Sequence, residues 1–326
     1  MDRGRRALLE VTNLRKYFPI RRGFFPRKAG HVQAVDDVSF SILPGKTLGL
    51  VGESGCGKST IGRTVLKLME PTSGRIFLDG RDITDLNRTQ MRPIRTEMQL
   101  IFQDPFSSLN PRMTAGAIVG EPLSLHNPTS RKQSRERMLE VFDRVGLHTD
   151  QAGNFPHQFS GGQRQRIGIA RALILNPKLV IGDEPVSALD VSIQAQIINL
   201  LMKLQDELGI TYLFISHDLA VVKHISHQVA VMYLGRIVEM SEKNTIFKAP
   251  QHPYTRALLS AVPNPTPLAR AKKRIVLSGD VPSPINPPEG CRFHERCAYV
   301  MDQCKTTPPP LLEITSGHWL ACHLEN

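Results

Sequence analysis

Apolar and polar positions alternate over residues 8–13 and 31–43, and this period-two pattern predicts two half-buried antiparallel strands. Residues 74–78 continue it, and 97–103 carries another strand. Residues 112–121 and 131–146 read as helices, with turn chemistry at Asn127 and Pro128 between them. A short buried strand over 178–182 precedes a helix over 191–208 whose apolar residues fall at helical spacing, and 210–215 is a further apolar strand. Residues 228–233 and 236–240 flank Leu234 and Gly235 as a hairpin. Buried strands alternating with helices between 46 and 225 predict an α/β core rich in parallel strands. From Pro263 to Pro288 the texture changes to seven prolines with little periodicity, which reads as a linker or an extended strap.

Composition adds two constraints. The 326 residues suffice for one large α/β domain with an appendage or for two modest domains, and no apolar stretch approaches the ~18 residues needed to span a bilayer. The first residues run into a strand-like segment rather than a signal-peptide core, so a cytosolic location is expected. The net charge of +11 raises nucleic acid as a partner, but the basic residues are dispersed and no aromatic-interleaved stripe accompanies them. No nucleic-acid partner is expected, and a positive surface facing anionic lipid headgroups accounts equally well for the charge.

The candidate chemistry centres on Gly52, Glu53, Ser54, Gly55, Cys56, Gly57, Lys58, Ser59 and Thr60, which complete the phosphate-loop pattern G-x-x-x-x-G-K-[ST]. The apolar run 47–51 precedes the loop and a helix over 61–69 follows it. A strand thus delivers a glycine-rich turn onto a helix N-terminus, where backbone N–H groups and the helix dipole converge on one anion. Lys58 can reach the β- and γ-phosphates of a nucleoside triphosphate, and Ser59 can place its hydroxyl on Mg²⁺. The strand 178–182 runs into Asp183 and Glu184; the first acid suits the Mg²⁺ shell and the second can activate the attacking water. Ser160, Gly161, Gly162 and Gln163 open a helical run over 167–175, another anion site with Ser160 as its cap.

Residues 159–166, FSGGQRQR, resemble the signature motif of ATP-binding-cassette ATPases, with Phe159 in place of the usual Leu. The remaining motifs of that family stand in order: Gln103 resembles its Q-loop glutamine, Ser187 to Asp190 its D-loop, and His217 its switch histidine. The resemblance implies a fold with a RecA-like phosphate-loop core, an antiparallel β-subdomain and an α-helical subdomain near 104–175. It also implies adenine packing on Phe18, with Tyr17 adjacent, Mg²⁺ contacts from Gln103 as well as Ser59 and Asp183, and catalytic roles for Glu184, His217, Gln103 and Lys58. Asp190 and residues 160–163 would face nucleotide across a head-to-tail dimer. The C-terminal run 250–259, with Gly279 to Pro288, Cys291 and Arg296-Cys297, resembles ATPases of bacterial dipeptide and oligopeptide importers, and most of all their F-type subunits. Implied partners are a second, non-identical cassette, two transmembrane permeases and an extracytoplasmic peptide-binding protein, with the chain peripheral on the cytoplasmic face of the inner membrane. A soluble cassette acting on ribosomes or DNA, and a cluster-assembly scaffold, are the competing classes; the single cassette, the lack of a heptad run and the Pro-rich cysteine tail argue against both. The expected organisation is a nucleotide-binding domain over 1–262, a Pro-rich linker over 263–290 and a Cys-rich module over 291–326.

Cys291, Cys297, Cys304 and Cys322 crowd the last 36 residues, whereas Cys56 stands alone in the phosphate loop. Disulfides conflict with a reduced cytosol. Zinc accepts four thiolates, with His294, His318 and His323 as substitutes, although its structural sites favour closer pairs. A [4Fe–4S] cluster tolerates irregular spacing, and the family resemblance points the same way.

Overall fold

Three parallel strands, Met98–Ile101, Leu179–Asp183 and Thr211–Ile215, stand side by side, the last two wholly buried, with Met98 opposite Leu179 and Leu179 opposite Thr211. Strands covered on both faces carry near-continuous apolar runs, which is what 179–182 and 211–215 show. The computed structural model describes residues 6–22, 27–126, 130–262 and 275–324, without side chains for 21–29, and falls into two compact units. These strands belong to the unit formed by Met1–Leu9, Ile42–Thr47 and Leu78–Ile215.

In the same unit, helix Val191–Leu208 ends on Gly209, whose φ of 67° closes it in the left-handed region. Gln205 ties that helix down through hydrogen bonds to Thr47 Oγ1 at 3.0 Å and to the Ile210 carbonyl at 2.9 Å. Helices Arg88–Ile94, Ala115–His126, Arg131–Arg144 and Gly161–Leu173 belong to the same unit. The helix expected over 112–121 starts later because residues 110–114 spend their polar groups on turns. Asn110 Oδ1 accepts the Arg112 N–H at 3.0 Å, and Thr114 Oγ1 accepts that of Ala117 at 3.3 Å. The Asn127-Pro128 turn lies outside the described residues.

The other unit comprises Glu10–Ser41, Leu48–Phe77 and Ser216–Asn326. Its strand Thr47–Val51 runs parallel to Gln228–Tyr233, with Leu48 opposite Gln228, and the hairpin partner Arg236–Glu242 follows antiparallel with a bulge between Ile237 and Glu239. His318–Leu320 then pairs antiparallel with the hairpin, Leu320 opposite Glu239, and Leu312–Thr315 pairs beyond it. The cysteine-bearing tail therefore extends this sheet by two strands that the sequence pattern did not reveal. In a second sheet, Leu9–Arg22 lies between Arg27–Ile42 and Ser73–Leu78. Leu9–Arg22 and Arg27–Ile42 are longer than the alternation over 8–13 and 31–43 predicts.

Two polar knots hold the tail. The fully buried carboxylate of Glu239 accepts the N–H of Gln251 at 2.8 Å and of His252 at 3.0 Å, and faces His318 Nε2 at 2.9 Å. His252 caps helix Pro253–Ser260 by accepting the Tyr254 N–H at 3.1 Å; burial, then the charge of Arg256, pushes its pKa down to about 3 and keeps that ring nitrogen an acceptor. The second knot is Asp36, which accepts both Arg236 Nε at 2.9 Å and Arg236 Nη2 at 2.7 Å, and is also bonded by Arg292 and by the Tyr17 hydroxyl. Burial alone would raise the Asp36 pKa, but Tyr17, Arg236 and Arg292 hold it below the usual carboxylate range.

Candidate nucleotide-binding site

The loop after Val51 follows the expected path. Helix Lys58–Val65 starts directly on Gly57, which adopts φ 107°, and it ends before Lys67, itself in the left-handed region at φ 54°. The helix is therefore offset from the expected 61–69. Gly57 is required twice over, since a Cβ there would lie 2.0 Å from the Ala34 carbonyl oxygen; one on Gly52 would lie 2.1 Å from that of Met232. Ser54 and Gly55 face solvent, and Cys56 is buried with its carbonyl accepting the Gly235 N–H at 2.9 Å. Burial raises the Cys56 thiol pKa, with Lys58 opposing it. Lys58 is buried, and its ammonium donates to the carbonyls of Gly52 at 2.8 Å and Glu53 at 2.9 Å. Ser59 and Thr60 occupy the first turn of the helix, half-buried. A strand, a glycine turn, a buried lysine and a helix start form a donor set that fits a triphosphate.

Near the loop's own unit, the two competing aromatics are distinguished. Burial, then its bond to Asp36, raises the Tyr17 hydroxyl to about 12 and commits that ring inward. Phe18, the next residue on an extended strand, takes the opposite face, with the Lys16 ammonium 5.0 Å from its ring centroid. His217 is exposed after strand Thr211–Ile215, ahead of helix Leu219–Ile225, which Asp218 caps by accepting the Ala220 N–H at 2.8 Å.

In the other unit Gln103 and Glu184 meet directly, Gln103 Nε2 donating to Glu184 Oε2 at 3.1 Å. Asp183 is the buried last residue of its strand. Glu184 adopts φ 49°, a left-handed conformation that costs a non-glycine residue about 1–3 kcal/mol, and its N–H donates to the Ile215 carbonyl at 3.0 Å. That turn points the carboxylate out of the sheet, next to Gln103. Gln194 donates to the carbonyls of Val186 at 3.0 Å and Leu189 at 2.9 Å, fixing the turn that ends on Asp190, the N-cap residue of helix Val191–Leu208. Ser160 caps helix Gly161–Leu173 reciprocally: its Oγ accepts the Gln163 N–H at 3.3 Å while Gln163 Oε1 accepts the Ser160 N–H at 3.0 Å. Gly161 and Gly162 form the first turn, and Ser160 remains exposed.

Residues 35–187 match a family model described as ABC transporter. Residues 238–304 match another, described as Oligopeptide/dipeptide transporter, C-terminal region. Over 320 residues the chain is 55% identical to the oligopeptide transport ATP-binding protein AppF of Bacillus subtilis (strain 168), covering 98% of this chain and 97% of that one. This chain belongs to the ABC transporter ATPases. This ABC ATPase is also 54% identical to a probable peptide ABC transporter ATP-binding protein, y4tS, of Sinorhizobium fredii, over 98% of itself and 90% of that relative. Among solved structures it resembles a dimeric post-hydrolysis state of the ATP-binding cassette MJ0796 bound to ADP and Pi, with a TM-score of 0.64 and 29% identity over 72% of this chain and 98% of that one. The RecA-like core with its antiparallel and helical subdomains is therefore the fold of this ABC ATPase, and ATP hydrolysis its reaction.

The four tail cysteines line one small pocket together with His252, His294 and His323. No disulfide joins them. Burial pushes the Cys291 thiol up to about 11, a bond from the Phe293 backbone opposes it, and the nearby Cys304, Cys322 and Cys297 thiols add to the rise. Among the described residues no group of three His, Cys, Asp or Glu side chains is set in metal-holding geometry. His318, one of the expected substitute ligands, is instead engaged with Glu239. Sequence reasoning missed Tyr254 and Arg296, which both bond to Glu53 of the phosphate loop. No local signal marks such partners, because they are separated from the loop by 201 and 243 residues.

Proposed function

We propose that this ABC ATPase energises the import of dipeptides or oligopeptides through a membrane permease. The observation that carries the reading is the match of residues 238–304 to the C-terminal region of oligopeptide and dipeptide transporters, in the same chain as the phosphate loop. In this reading residues 52–60 and Lys58 hold the phosphates of ATP, Phe18 packs on adenine, and Ser59, Gln103 and Asp183 are the residues that would hold Mg²⁺. The metal ion supplies charge neutralisation at the phosphates. Glu184 takes a proton from the attacking water as its oxygen bonds to the γ-phosphorus and the bond to ADP breaks. Gln103 orients the Glu184 carboxylate, and His217 is the residue that responds to the γ-phosphate.

The exposed Ser160 helix end and Asp190 serve a second, non-identical cassette across a head-to-tail interface, where two helix N-termini share one triphosphate. The region 104–158 is the seat for the permease, and the exposed rings of Phe106 and Phe155 support that assignment. Among the described residues no helix is long and apolar enough to cross a membrane. The chain then acts peripherally, on the cytoplasmic face of the bacterial inner membrane, with two permeases and an extracytoplasmic peptide-binding protein. Residues 1–262 form the nucleotide-binding domain, 263–290 the linker and 291–326 the Cys-rich module.

The test is co-expression with two permeases and a second cassette of the oligopeptide-importer type, followed by uptake of labelled peptides into vesicles. Co-purification of all four chains and ATP-dependent uptake in the presence of the binding protein are expected. A monomer that hydrolyses ATP at full rate and captures no permease overturns the reading.

We further propose that Cys291, Cys297, Cys304 and Cys322 hold a [4Fe–4S] cluster, a reading supported by four thiol donors on one pocket. Such a group would tie the tail down rather than carry electrons during transport. Protein purified without oxygen should be brown and contain about four irons per chain, the count of a Cys₄ cubane. Colourless anaerobic protein with one zinc per chain decides for zinc.

A further inference from the structure

Backbone contacts clamp the outer side of the phosphate loop at Gly52, Cys56 and Gly57, whereas Glu53 is held by side chains of the C-terminal region. Its N–H donates to the Tyr254 hydroxyl at 3.0 Å. Its carboxylate takes a two-pronged bond from Arg296, Nη1 to Oε2 at 2.8 Å and Nη2 to Oε1 at 3.2 Å. The fork geometry fixes both position and tilt of the carboxylate, which a single contact would not. Arg296 is only 8% exposed, so this is no loose surface pair. Its Nη1 also reaches the Tyr233 hydroxyl at 3.5 Å, and its buried Nε has no partner among the described residues. The head group is thus committed to the loop.

The seat of Arg296 is itself built by the tail. It ends the short turn His294–Arg296, whose first residue donates its N–H to the Cys291 carbonyl and accepts the Cys297 N–H, while the Arg296 N–H donates to the Phe293 carbonyl. Phe293, which begins this turn, packs on the rings of Tyr233 and Tyr254 at centroid distances of 5.2 and 5.4 Å. The consequence for the loop runs through one peptide unit. The Glu53 carbonyl is one of the two oxygens that hold the Lys58 ammonium, so whatever fixes Glu53 also fixes the perch of Lys58.

From this chain of contacts we infer that Arg296 is a positioning residue for the ATP-binding loop, acting through Glu53 on the backbone that holds Lys58. The inference rests on the loop being the ATP site. It assigns a function to a residue of the tail outside the loop itself, and it makes the cysteine-bearing segment a support of the active site.

The experiment uses the full chain assembled with its partner subunits, measuring binding of a fluorescent ATP analogue and the steady-state constants for ATP. Arg296→Ala should raise Kd and KM about tenfold, while kcat at saturating ATP stays within about twofold of wild type, and Glu53→Gln should raise Kd and KM to a similar extent. Arg296→Lys, which keeps the charge and loses the fork, should recover part of the loss. The Arg296→Ala/Glu53→Gln double variant should be no worse than either single change, since the two act as one unit. Glu53→Gln alters a partly exposed side chain, so it tests the same link even where Arg296→Ala folds poorly. A lowered melting temperature with unchanged KM in both variants would mean a merely structural ion pair and overturn the inference. If Lys58→Ala is defective in ATP binding while Arg296→Ala and Glu53→Gln are not, the inference falls and the ATP site stands. If Lys58→Ala binds ATP as wild type does, the ATP reading of the loop fails as well.

Discussion

Glu184→Gln should bind ATP as the wild type does and hydrolyse it about a hundred- to ten-thousand-fold more slowly, the share that a positioned base contributes. The substitution removes the proton acceptor and little else. Gln has the same length, its amide oxygen can still accept from Gln103 Nε2, and the backbone bond to the Ile215 carbonyl is unaffected. The left-handed conformation at φ 49° is no harder for Gln than for Glu. The phosphate cradle at 52–60 is untouched. The check is a paired measurement on the assembled transporter: filter or fluorescence binding of ATP, and phosphate release at saturating ATP. Turnover within twofold of wild type would remove Glu184 from its role.

Ser160→Arg should lower turnover by more than about a hundredfold, on the scale of losing one preorganised anion donor, with ATP affinity of the isolated chain little changed. Two effects combine at this position and can be separated. Loss of the Ser160–Gln163 capping box costs the helix Gly161–Leu173 about 1 kcal/mol, visible as a small drop in melting temperature. The larger effect requires the partner cassette: a long cation on an exposed helix end blocks the approach of a second nucleotide site carrying Mg²⁺. Ser160→Asn keeps a capping oxygen and should restore the melting temperature. Wild-type hydrolysis by the Arg variant in the assembled transporter would show that this helix end faces no nucleotide.

The phosphate loop was legible because its chemistry is local: consecutive residues supply the turn, the donors and the helix start. The same holds for the Ser160 cap and for Asp183-Glu184 at the end of a buried run. Element edges were less legible where side chains competed for backbone groups, as at Asn110 and Thr114, or where a residue such as Lys67 turned left-handed. Which of the neighbouring rings of Tyr17 and Phe18 turns inward is legible only once Asp36 is seen to hold Tyr17. Least legible was the tail. Its proline-rich approach and irregular cysteines announce no periodic element, yet His318–Leu320 finds a sheet edge, and Arg292 and Arg296 find carboxylates on Asp36 and Glu53. The two ion pairs join residues 256 and 243 positions apart and His318 meets Glu239 across 79, so no short window of sequence contains both partners.

The pairing of Glu53 with Arg296 also bears on how the molecule is made. The two residues are 243 positions apart. At translation rates of about 5–20 residues per second, the loop waits about 10–50 s after its synthesis before its last clamp leaves the ribosome. Throughout that interval the nascent chain carries the complete loop sequence without the contact that fixes Glu53. The hairpin Gln228–Tyr233 and Arg236–Glu242 likewise waits with an open edge until His318–Leu320 arrives. A chain stalled or cut short before residue 296 would keep the full phosphate-loop sequence yet lack the side chain that holds Glu53 by its carboxylate.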